Sequence, residues 1–379
     1  MCAGGGVTGA VYEIGCLRAI EDLLDRSMLD LDLYVGVSGG AFVASLLAAG
    51  ISPYEMYNEV AGETHDPLGV ADAPLFRVRL AEFLRTTSAR APRLVSGLLA
   101  SAVRRDGQEL ADLALSLLQL LPAGLVDNSG IRDYIRGVLR SRGQPDRFSA
   151  LDRRLYIVAV DLDSGEAVAF GDRGHRDVAI SKAVQASTAL PGLYRPVRIG
   201  GRDFVDGGVK KTAHINLAIQ NGADLVIVLN PIVPIMNGRK GPLDGPISQK
   251  GISYVLDQVF RIMLHGRMEY GLERYRVEHP EVDILVLQPK RDDMHMFRYN
   301  IMRYSARRVV AEHGYRSALS EFRRGRRAHS RLLARHGITL RDPSRLPDTP
   351  VASPLRSELA RSLGACLDFL GSRLRSPYS

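Results

Sequence analysis

A serine set between glycines, at the junction of an apolar run and a helical run, constrains this chain more than any other feature. Gly36, Ser38 and Gly40 form a G-x-S-x-G pattern that follows the apolar end of LDLDLYV (29–35) and precedes AFVASLLAA (41–49). A strand that turns this sharply into a helix leaves no space for side chains in the turn, which accounts for the glycines. The turn exposes the hydroxyl at a helix amino terminus, where unpaired N–H groups favour developing negative charge. The pattern therefore predicts a nucleophile elbow in which Ser38 is the nucleophile.

The amino-terminal segment AGGGVTGA (3–10) has two interpretations. Gly4, Gly6 and Gly9 match the G-x-G-x-x-G pattern of dinucleotide-binding proteins, and acidic residues follow about twenty positions later. In that pattern, however, the acid ends the second strand, whereas here the aspartates begin a strand that ends at the serine turn. The other interpretation is favoured: consecutive parallel strands end at the same sheet edge, so the loop would place bare backbone N–H groups beside Ser38. These donors would form an oxyanion hole.

Apolar runs alternate with helical patterns through most of the chain. Valine, isoleucine and leucine form near-continuous runs at 154–162, 223–231 and 282–289, and a shorter run leads into Asp206. Such runs between helices predict an α/β fold with a mostly parallel central sheet covered by helices on both faces. Residues 51–149 instead contain helical patterns divided by proline and glycine, which predicts a helical insertion.

Positive charge is concentrated towards the carboxyl end. The formal net charge is +8, and residues 291–345 alone hold fourteen arginines against five acidic residues. An anionic membrane or an acidic partner would suit this basic helical region, and a solvated helical face is the alternative. Nucleic acid is disfavoured because aromatic residues are sparse there and no binding motif occurs. The sequence of residues 346–379 predicts a proline-rich linker and a last amphipathic helix.

The three cysteines, Cys2, Cys16 and Cys366, are scattered without metal-binding or disulfide spacing. This usage favours a reducing, cytoplasmic setting. No uninterrupted apolar run reaches the length of a membrane-spanning helix, so a soluble or peripheral protein is expected. We expect no metal and no other cofactor.

Two further blocks lie between the apolar runs. The first is ASTALP, at 186–191, and the second is FVDGGV, in which Asp206 is followed by Gly207 and Gly208. With the GGGVTG loop and the GVSGG elbow, they give the chain four motifs in the order found in the patatin-like phospholipase family. That family's pattern is a G-G-G-x-[RK]-G loop, a G-x-S-x-G elbow, an A-S-x-A-x-P block and a D-G-[GA] turn. The chain resembles the family over residues 1–290.

The resemblance implies the patatin-like fold and a Ser-Asp dyad. Ser38 would attack an acyl ester, and Asp206 would accept the serine proton directly, without a histidine. The implied activity is that of a serine acyl hydrolase of lipid esters, of the phospholipase or lysophospholipase type. Four glycines would hold the oxyanion through their backbone N–H groups: Gly4, Gly5, Gly6 and Gly39. The remaining motif glycines are Gly9, Gly36, Gly40, Gly207 and Gly208.

The resemblance also divides the chain. Residues 1–290 are expected to form the acyl hydrolase domain, with the helical insertion at 51–149 inside it. The basic helical region at 291–345 and the linker and helix at 346–379 would follow. A lipid ester would be the substrate, and a membrane surface would be the partner of the basic region.

Two departures from the family pattern favour a second interpretation, a catalytically weak or inactive lipid-binding or membrane scaffold protein. Thr8 occupies the position where the family carries arginine or lysine. Only Met1, Cys2 and Ala3 precede the glycines, although the family's loop follows a full strand of about five or six residues. We therefore expect the native start of the chain to lie upstream.

Two other patterns have competing interpretations. His214, eight residues after Asp206, is the alternative base of a Ser-Asp-His triad. Enzymes with that triad carry several strands before the elbow, and too little chain precedes Ser38, so we expect a structural residue or a pocket wall. The apolar positions of VLDQVFRIMLHGRM (255–268) are expected in the core, with an acyl-chain pocket as the alternative.

Overall fold

The computed structural model describes most of the chain that carries the predicted motifs. The described residues are 1–61, 77–78, 123–237, 243, 245–293, 296 and 307–350. Most of the predicted helical insertion and the predicted last amphipathic helix lie outside these residues. The division into a hydrolase domain, a basic region and a terminal helix stays a prediction.

The described strands form a large sheet and a small one. The strands are β1 (Cys2–Gly5), β2 (Leu33–Ser38), β3 (Arg77–Val78), β4 (Gly124–Asp127), β5 (Arg154–Asp161), β6 (Ala167–Phe170), β7 (Gly192–Tyr194), β8 (Val197–Ile199), β9 (Arg202–Asp206), β10 (Leu225–Leu229) and β11 (Asp283–Leu287). In the large sheet, β11, β10, β1, β2 and β5 are neighbours in that order and run parallel, while β6, β8 and β9 pair antiparallel. The small sheet contains β3, β4 and β7.

Helices cover both faces of the large sheet. The described helices are α1 (Val7–Leu23), α2 (Gly39–Ala48), α3 (Pro53–Ala61), α4 (Ser129–Ser141), α5 (Ile180–Ser187), α6 (Ile215–Gln220), α7 (Ile252–Glu278), α8 (Arg307–Arg324) and α9 (Arg326–Arg335). One apolar core contains residues of α1 to α5, α8 and α9, and a second contains residues of α6 and α7.

Consecutive strand residues alternate between these two cores. Ile157 and Ile227 belong to the first core, whereas Val158 and Val228 belong to the second. This alternation is expected because successive side chains of a strand point to opposite faces of the sheet. The apolar runs of the sequence are therefore strands buried on both faces, and the predicted fold class is confirmed.

Two strands share one edge of β5 and meet there end to end. Val37 of β2 pairs with Val158, and Asp206 of β9 pairs with the next residue of β5, Ala159. β6 pairs with both of these β5 residues, and it occupies the opposite edge because a strand has only two edges. β2 and β9 therefore run towards each other along the same edge, and their last residues, Ser38 and Asp206, meet at the junction.

The first strand lies inside the sheet rather than at its border. β1 pairs in parallel with β2 on one side and with β10 on the other. Its carboxyl end brings the glycine loop to the same edge of the sheet as Ser38, as predicted. The prediction that the native chain starts further upstream is not tested by this pairing.

α1 and α8 pack against each other at two glycines. A Cβ atom on Gly15 would lie 2.0 Å from the Ala311 carbonyl oxygen, and one on Gly314 would lie 2.2 Å from the Tyr12 carbonyl oxygen. The missing side chains let the two backbones approach, and Cys16 Sγ donates to the Gly314 carbonyl oxygen at 3.3 Å. Part of the predicted basic helical region is thus packed onto the helix that follows the glycine loop.

Gly15→Ala is expected to lower the free energy of unfolding by about 1–3 kcal/mol, because the new methyl group forces α1 and α8 apart. Helix propensity alone favours the opposite sign, by up to about 1 kcal/mol. Gly137→Ala on α4 is the matched control, since an added Cβ there meets no atom within 4 Å. The control should stabilise the protein by about 0.5–1 kcal/mol. Urea denaturation measures both effects, and stabilisation by both substitutions would contradict the close packing of α1 and α8.

Candidate active site

Ser38 is held in a strained backbone conformation at the end of β2. Its φ of 54° and ψ of −128° make it the single non-glycine residue with positive φ in the part of the chain that the structure describes. Such a conformation costs about 1–3 kcal/mol and persists only where the surroundings impose it. α2 begins at the next residue, so the strand, sharp turn and helix of a nucleophile elbow are all present.

The glycine loop and the elbow are in direct backbone contact. Gly5, at the end of β1, is in register with Ser38. A Cβ atom on Gly39 would lie 2.0 Å from the Gly5 carbonyl oxygen and 2.4 Å from that of Gly6, so no larger residue fits at this position. The N–H of Gly6 has no hydrogen-bond partner among the described residues, whereas the pairing of Gly5 with Ser38 engages the N–H groups of Gly5 and Gly39 in the sheet. One free N–H donor, that of Gly6, therefore lies close to Ser38.

The other motif glycines mark close approaches between neighbouring backbones. An added Cβ atom would lie within 3 Å of a neighbouring atom at each of these positions: Gly4 beside the Thr212 carbonyl, Gly5 and Gly9 beside the Pro231 ring, Gly36 beside Ala41, and Gly40 beside Ala3. The segments that follow β9 and β10 therefore pack directly on the glycine loop.

Asp206 faces Ser38 from the end of β9. Its carboxylate accepts a hydrogen bond from the Gly208 N–H at 2.8 Å. The residue is 3 % exposed. Burial raises the pKa of this carboxyl from 3.8 to about 6, although the nearby Ser38 hydroxyl and the Gly208 N–H both favour the charged form. Asp206 is therefore an unusually basic aspartate next to a serine hydroxyl.

The two glycines after Asp206 let the chain turn against β5. A Cβ atom on Gly207 would lie 2.3 Å from the Val158 carbonyl oxygen and 3.1 Å from Val37 Cγ1. Gly208 contributes its backbone N–H to the Asp206 carboxylate. The Asp-Gly-Gly sequence thus fits the narrow space beside β5 and also provides a hydrogen bond to the carboxylate.

The ASTALP block holds Ser38 and Asp206 in place. Ser187 Oγ accepts a hydrogen bond from the Ser38 N–H at 3.0 Å and donates to the Val158 carbonyl oxygen at 2.6 Å. The Asp206 N–H donates to the Ala189 carbonyl oxygen at 3.0 Å. The sequence identifies this block as a motif, but no property of a serine in a small-residue run indicates that it bridges the elbow to β5. Because Ser187 uses the Ser38 N–H, this N–H is not free to bind an oxyanion.

A buried acid, Glu13 on α1, lies beside the glycine loop and was not expected from the sequence. It is 0 % exposed, and neither carboxyl oxygen makes a hydrogen bond of normal geometry within the described residues. Burial raises the pKa of Glu13 well above its ordinary range, opposed only by the Gly4 N–H, which faces the carboxyl. Burial therefore favours the neutral, protonated form of Glu13 beside the glycine loop.

Thr8, which replaces the cation of the family pattern, is buried in the first turn of α1. Its exposure is 2 %. A neutral side chain at this position adds no charge to the glycine loop. An anionic group at this loop would therefore be favoured by backbone N–H groups and by the dipole of α1, without a cationic side chain at position 8.

His214 lies behind the Asp-Gly-Gly turn. It directly precedes α6, is 4 % exposed, and lies close to the backbone of Gly207. Burial, with Lys211 nearby, lowers the pKa of His214 to about 4, so the ring is neutral at pH 7. Its Nε2 has no hydrogen-bond partner among the described residues. His214 therefore supports the turn that carries Asp206, as expected of a structural residue.

Within the described residues, no group of three or more histidine, cysteine, aspartate or glutamate side chains is arranged to hold a metal ion. Cys2 and Cys16 are buried free thiols. None of the helices that the structure describes is both long enough and apolar enough to cross a membrane.

Comparison with known proteins identifies a family that matches this chain. A family model described as "Patatin-like phospholipase" matches residues 1–219, more than half of the chain. "Probable lipid hydrolase 463L" of Invertebrate iridescent virus 6 is 19% identical over 222 residues, which are 57% of this chain and 61% of the viral protein. The crystal structure of VipD from Legionella pneumophila is similar with a TM-score of 0.34 and 15% identity, over 84% of this chain and 65% of VipD. The chain thus spans less than two thirds of the length of either protein.

Asp206→Asn is expected to stabilise the folded protein at alkaline pH. Because the pKa of Asp206 is about 6 in the folded protein and 3.8 ordinarily, the folded state binds the proton more tightly, and stability falls as pH rises between these values. A difference of this size corresponds to about 3 kcal/mol. The neutral amide removes this cost, so the variant should gain about 2–3 kcal/mol at pH 8 and almost nothing at pH 4.

Urea denaturation at the two pH values measures the gain. Asp203→Asn is the matched control, because Asp203 lies on the same strand, with its side chain 33% exposed and paired with Arg198. No gain is expected in the control. A gain of equal size at both pH values, or in both variants, would show that burial of the Asp206 charge is not its cause.

Proposed function

This chain belongs to the patatin-like phospholipase family, and we propose that it is a serine acyl hydrolase of lipid esters, of the phospholipase or lysophospholipase type. The observation that carries the proposal is the juxtaposition of Ser38 and the buried, unusually basic Asp206 at the point where β2 and β9 meet. The glycine loop in register with Ser38 supports it. A nucleophile, a base and a set of backbone donors are the groups that acyl transfer needs.

In the proposed reaction, Ser38 Oγ attacks the acyl carbon of the ester while Asp206 takes the hydroxyl proton. The carbonyl oxygen becomes an oxyanion. Collapse of the tetrahedral intermediate breaks the ester bond, and the proton passes from Asp206 to the leaving alcohol. Water then attacks the acyl-serine with Asp206 again as base, which releases the fatty acid and restores the Ser38 hydroxyl.

The oxyanion would be held at the glycine loop by the backbone N–H of Gly6, which has no partner among the described residues. Gly4, Gly5 and Gly39 were also expected as donors, and they adjoin Ser38. The N–H of Gly4 faces Glu13, and those of Gly5 and Gly39 take part in the β1–β2 ladder, so we do not assign them this role. Removal of one oxyanion donor typically costs about 10²–10³ in rate, so the Gly6 N–H is a major source of the proposed rate enhancement.

Burial of Asp206 is what lets a carboxylate serve as base without a histidine. An aspartate at its ordinary pKa of 3.8 is a poor proton acceptor at neutral pH, whereas the raised pKa of about 6 brings it close to the working pH. The group is still mostly ionised at pH 7. The same desolvation therefore makes Asp206 more basic and still leaves most of it in the ionised form that accepts a proton.

Lipid esters are the proposed substrates because of the family description and the printed name of the viral relative, a probable lipid hydrolase. A cytoplasmic location, peripheral at membranes, completes the proposal. The basic helical region was the expected membrane contact, but several of its arginines are ion-paired: Arg308 and Arg316 with Glu312, Arg324 with Glu321, and Arg335 with Asp283. Pairing engages these guanidinium groups within the protein, while the net positive charge of the region remains.

A catalytically weak or inactive lipid-binding protein is the second candidate. The observation that favours it is the neutral, buried Thr8 in place of the family's cation. The two candidates differ in whether Ser38 reacts, so the same experiment separates them.

Ser38→Ala is expected to abolish hydrolysis of short-chain esters and labelling by a fluorophosphonate probe, because both require the serine oxygen. The wild-type protein should label at Ser38. Ser45→Ala is the control, since Ser45 on the following helix donates only to the Phe42 carbonyl oxygen of its own turn, and it should keep both properties. Turnover in folded Ser38→Ala, or labelling of another residue, would disprove the assigned nucleophile.

The pH dependence of kcat/KM should identify the base. With Asp206 as base, kcat/KM should rise about tenfold per pH unit up to a pKa of about 6 and then level off. With His214 as base, the rise should instead end at a pKa of about 4. This order is the reverse of that expected from the ordinary pKa values of aspartate and histidine, because both side chains are buried.

Substitution of each candidate base gives an independent measurement. Asp206→Asn should lower kcat by about 10²–10⁴-fold. His214→Ala should lower it by less than about tenfold, because His214 acts only by supporting the Gly207 turn. A severe defect in a folded His214→Ala variant, with a wild-type profile that levels off near pH 4, would replace the dyad by a triad.

A further inference from the structure

The outward face of α7 is apolar and exposed to solvent. Five residues form it, and we call them the α7 apolar face: Ile252 (72 % exposed), Leu256 (60 %), Val259 (45 %), Ile262 (52 %) and Met263 (50 %). Their spacing of three and four residues places them on one side of the helix. Among the described residues, eight of the twelve large exposed apolar side chains lie on α7, so the exposure is concentrated and not scattered over the surface.

This exposure corrects the expectation that the apolar positions of 255–268 lie in the core. Leu264 and Met268 are buried, but Leu256, Val259, Ile262 and Met263 are exposed. A helical period of apolar residues predicts that one side is covered, and it cannot distinguish cover by protein from cover by lipid.

No charge interrupts the α7 apolar face. Between Ile252 and Leu264 the sequence contains two charged residues, Asp257 and Arg261. They pair with each other, with Arg261 Nε donating to Asp257 Oδ2 at 2.8 Å, and Arg261 is only 2 % exposed. Arg261 Nη2 also donates inward, to the Met296 carbonyl oxygen at 3.0 Å. The outward side of the helix is thus uncharged over about three turns.

The helix that carries this face packs on the segment after Asp206. Arg267 Nη1 donates to the Val209 carbonyl oxygen at 2.5 Å, and Thr212 Oγ1 donates to the Leu264 carbonyl oxygen at 3.0 Å. Val209 is the third residue after Asp206. The middle of α7 is therefore fixed next to the turn that carries the proposed base.

The amino-terminal half of α7 is fixed to the segment after β10. The side chain of Gln258 accepts from the Ile235 N–H at 3.1 Å and donates to the Ile235 carbonyl oxygen at 2.8 Å. The same segment contains Pro231, which packs on Gly5 of the glycine loop. Both halves of the apolar face therefore lie at the edge of the sheet where Ser38 is located.

Two cations border the face, one at each end. Lys250 precedes α7 by two residues, and Arg267 follows the apolar face by one turn. Both are exposed, and within the described residues neither has a carboxylate oxygen within 4.0 Å. An apolar stripe flanked by exposed cations complements a surface with apolar chains below anionic head groups.

We propose that the α7 apolar face docks this protein on anionic lipid bilayers, with Lys250 and Arg267 at the level of the head groups. The inference rests on the proposed function in one respect, since a lipid hydrolase must reach a substrate that lies in a bilayer. Docking at this face presents the sheet edge that carries Ser38 to the membrane. The basic helical region then contributes long-range attraction to the membrane and not the contact itself.

Vesicle sedimentation with the full-length Ser38→Ala protein tests the inference, because this variant leaves the lipid unchanged during the measurement. The vesicles contain phosphatidylcholine with increasing fractions of phosphatidylglycerol. Binding should rise with the anionic fraction and fall as salt is added. Leu256→Glu in this background should lower the partition coefficient at least about tenfold, because a charge replaces a side chain that enters the acyl region.

Two further variants sharpen the test. Val309→Glu is the matched control, since Val309 is an apolar residue on α8 with 42 % exposure, and it should bind as its parent does. Lys250→Glu should weaken binding to anionic vesicles and leave binding to neutral ones as it is. Met263→Ser serves the same purpose as Leu256→Glu if the latter fails to fold, as judged by circular dichroism and Tm.

The outcomes separate docking from catalysis. Selective loss of binding in the α7 variants supports docking whether or not the wild-type protein hydrolyses esters, so failure of the proposed function is seen separately. Equal binding of Leu256→Glu and its parent would overturn the inference. A wild-type dimer that becomes monomeric in Leu256→Glu, with no vesicle binding by either, would also overturn it, because the face would then join two copies of this chain.

Discussion

Ser38 and Asp206 face each other because two strands occupy one edge of β5 and neither has room to continue. Val37 takes one position of that edge and Asp206 takes the next, from the opposite direction. The chain must therefore leave the edge at Ser38, and the positive φ of Ser38 and the start of α2 at the following residue are the local consequences. After each strand end comes a glycine, Gly39 or Gly207, at which a Cβ atom would collide with a neighbouring carbonyl oxygen. The motif glycines are thus required by the packing of backbone against backbone.

This junction is costly, and the surrounding fold has to stabilise it. A strained serine costs about 1–3 kcal/mol, and a desolvated carboxylate with a pKa of about 6 costs a similar amount at neutral pH. Two apolar cores on the two faces of the sheet oppose these terms, and Ser187 satisfies polar groups of the elbow and of β5 that would otherwise be unpaired. Both costs serve chemistry: the strain exposes the hydroxyl, and the desolvation makes the aspartate basic.

The sequence predicted those features that local sterics dictate. Glycines at fixed offsets from Ser38 and after Asp206 report tight turns, and runs of valine and isoleucine report strands buried on both faces, so the fold class and the proximity of the glycine loop to Ser38 were predictable. Features that depend on tertiary packing were not. The burial of Glu13, the bridge made by Ser187 and the end-to-end meeting of β2 and β9 arise from pairing between segments far apart in sequence. Periodicity likewise identified α7 as amphipathic without showing that its apolar side faces solvent.

Tertiary packing also reverses the order of the pKa values of the two candidate bases, Asp206 and His214. By their ordinary pKa values, a histidine is the better base at neutral pH and an aspartate the poorer one. Burial acts on both in the direction that favours the neutral form, so it raises the pKa of Asp206 to about 6 and lowers that of His214 to about 4. α7 packs on the segment between these two residues, because Thr212 Oγ1 donates to the Leu264 carbonyl oxygen and Arg267 donates to that of Val209. One helix thus contacts the segment after the proposed base with its inner side, while its outer side carries the apolar face that we assign to lipid.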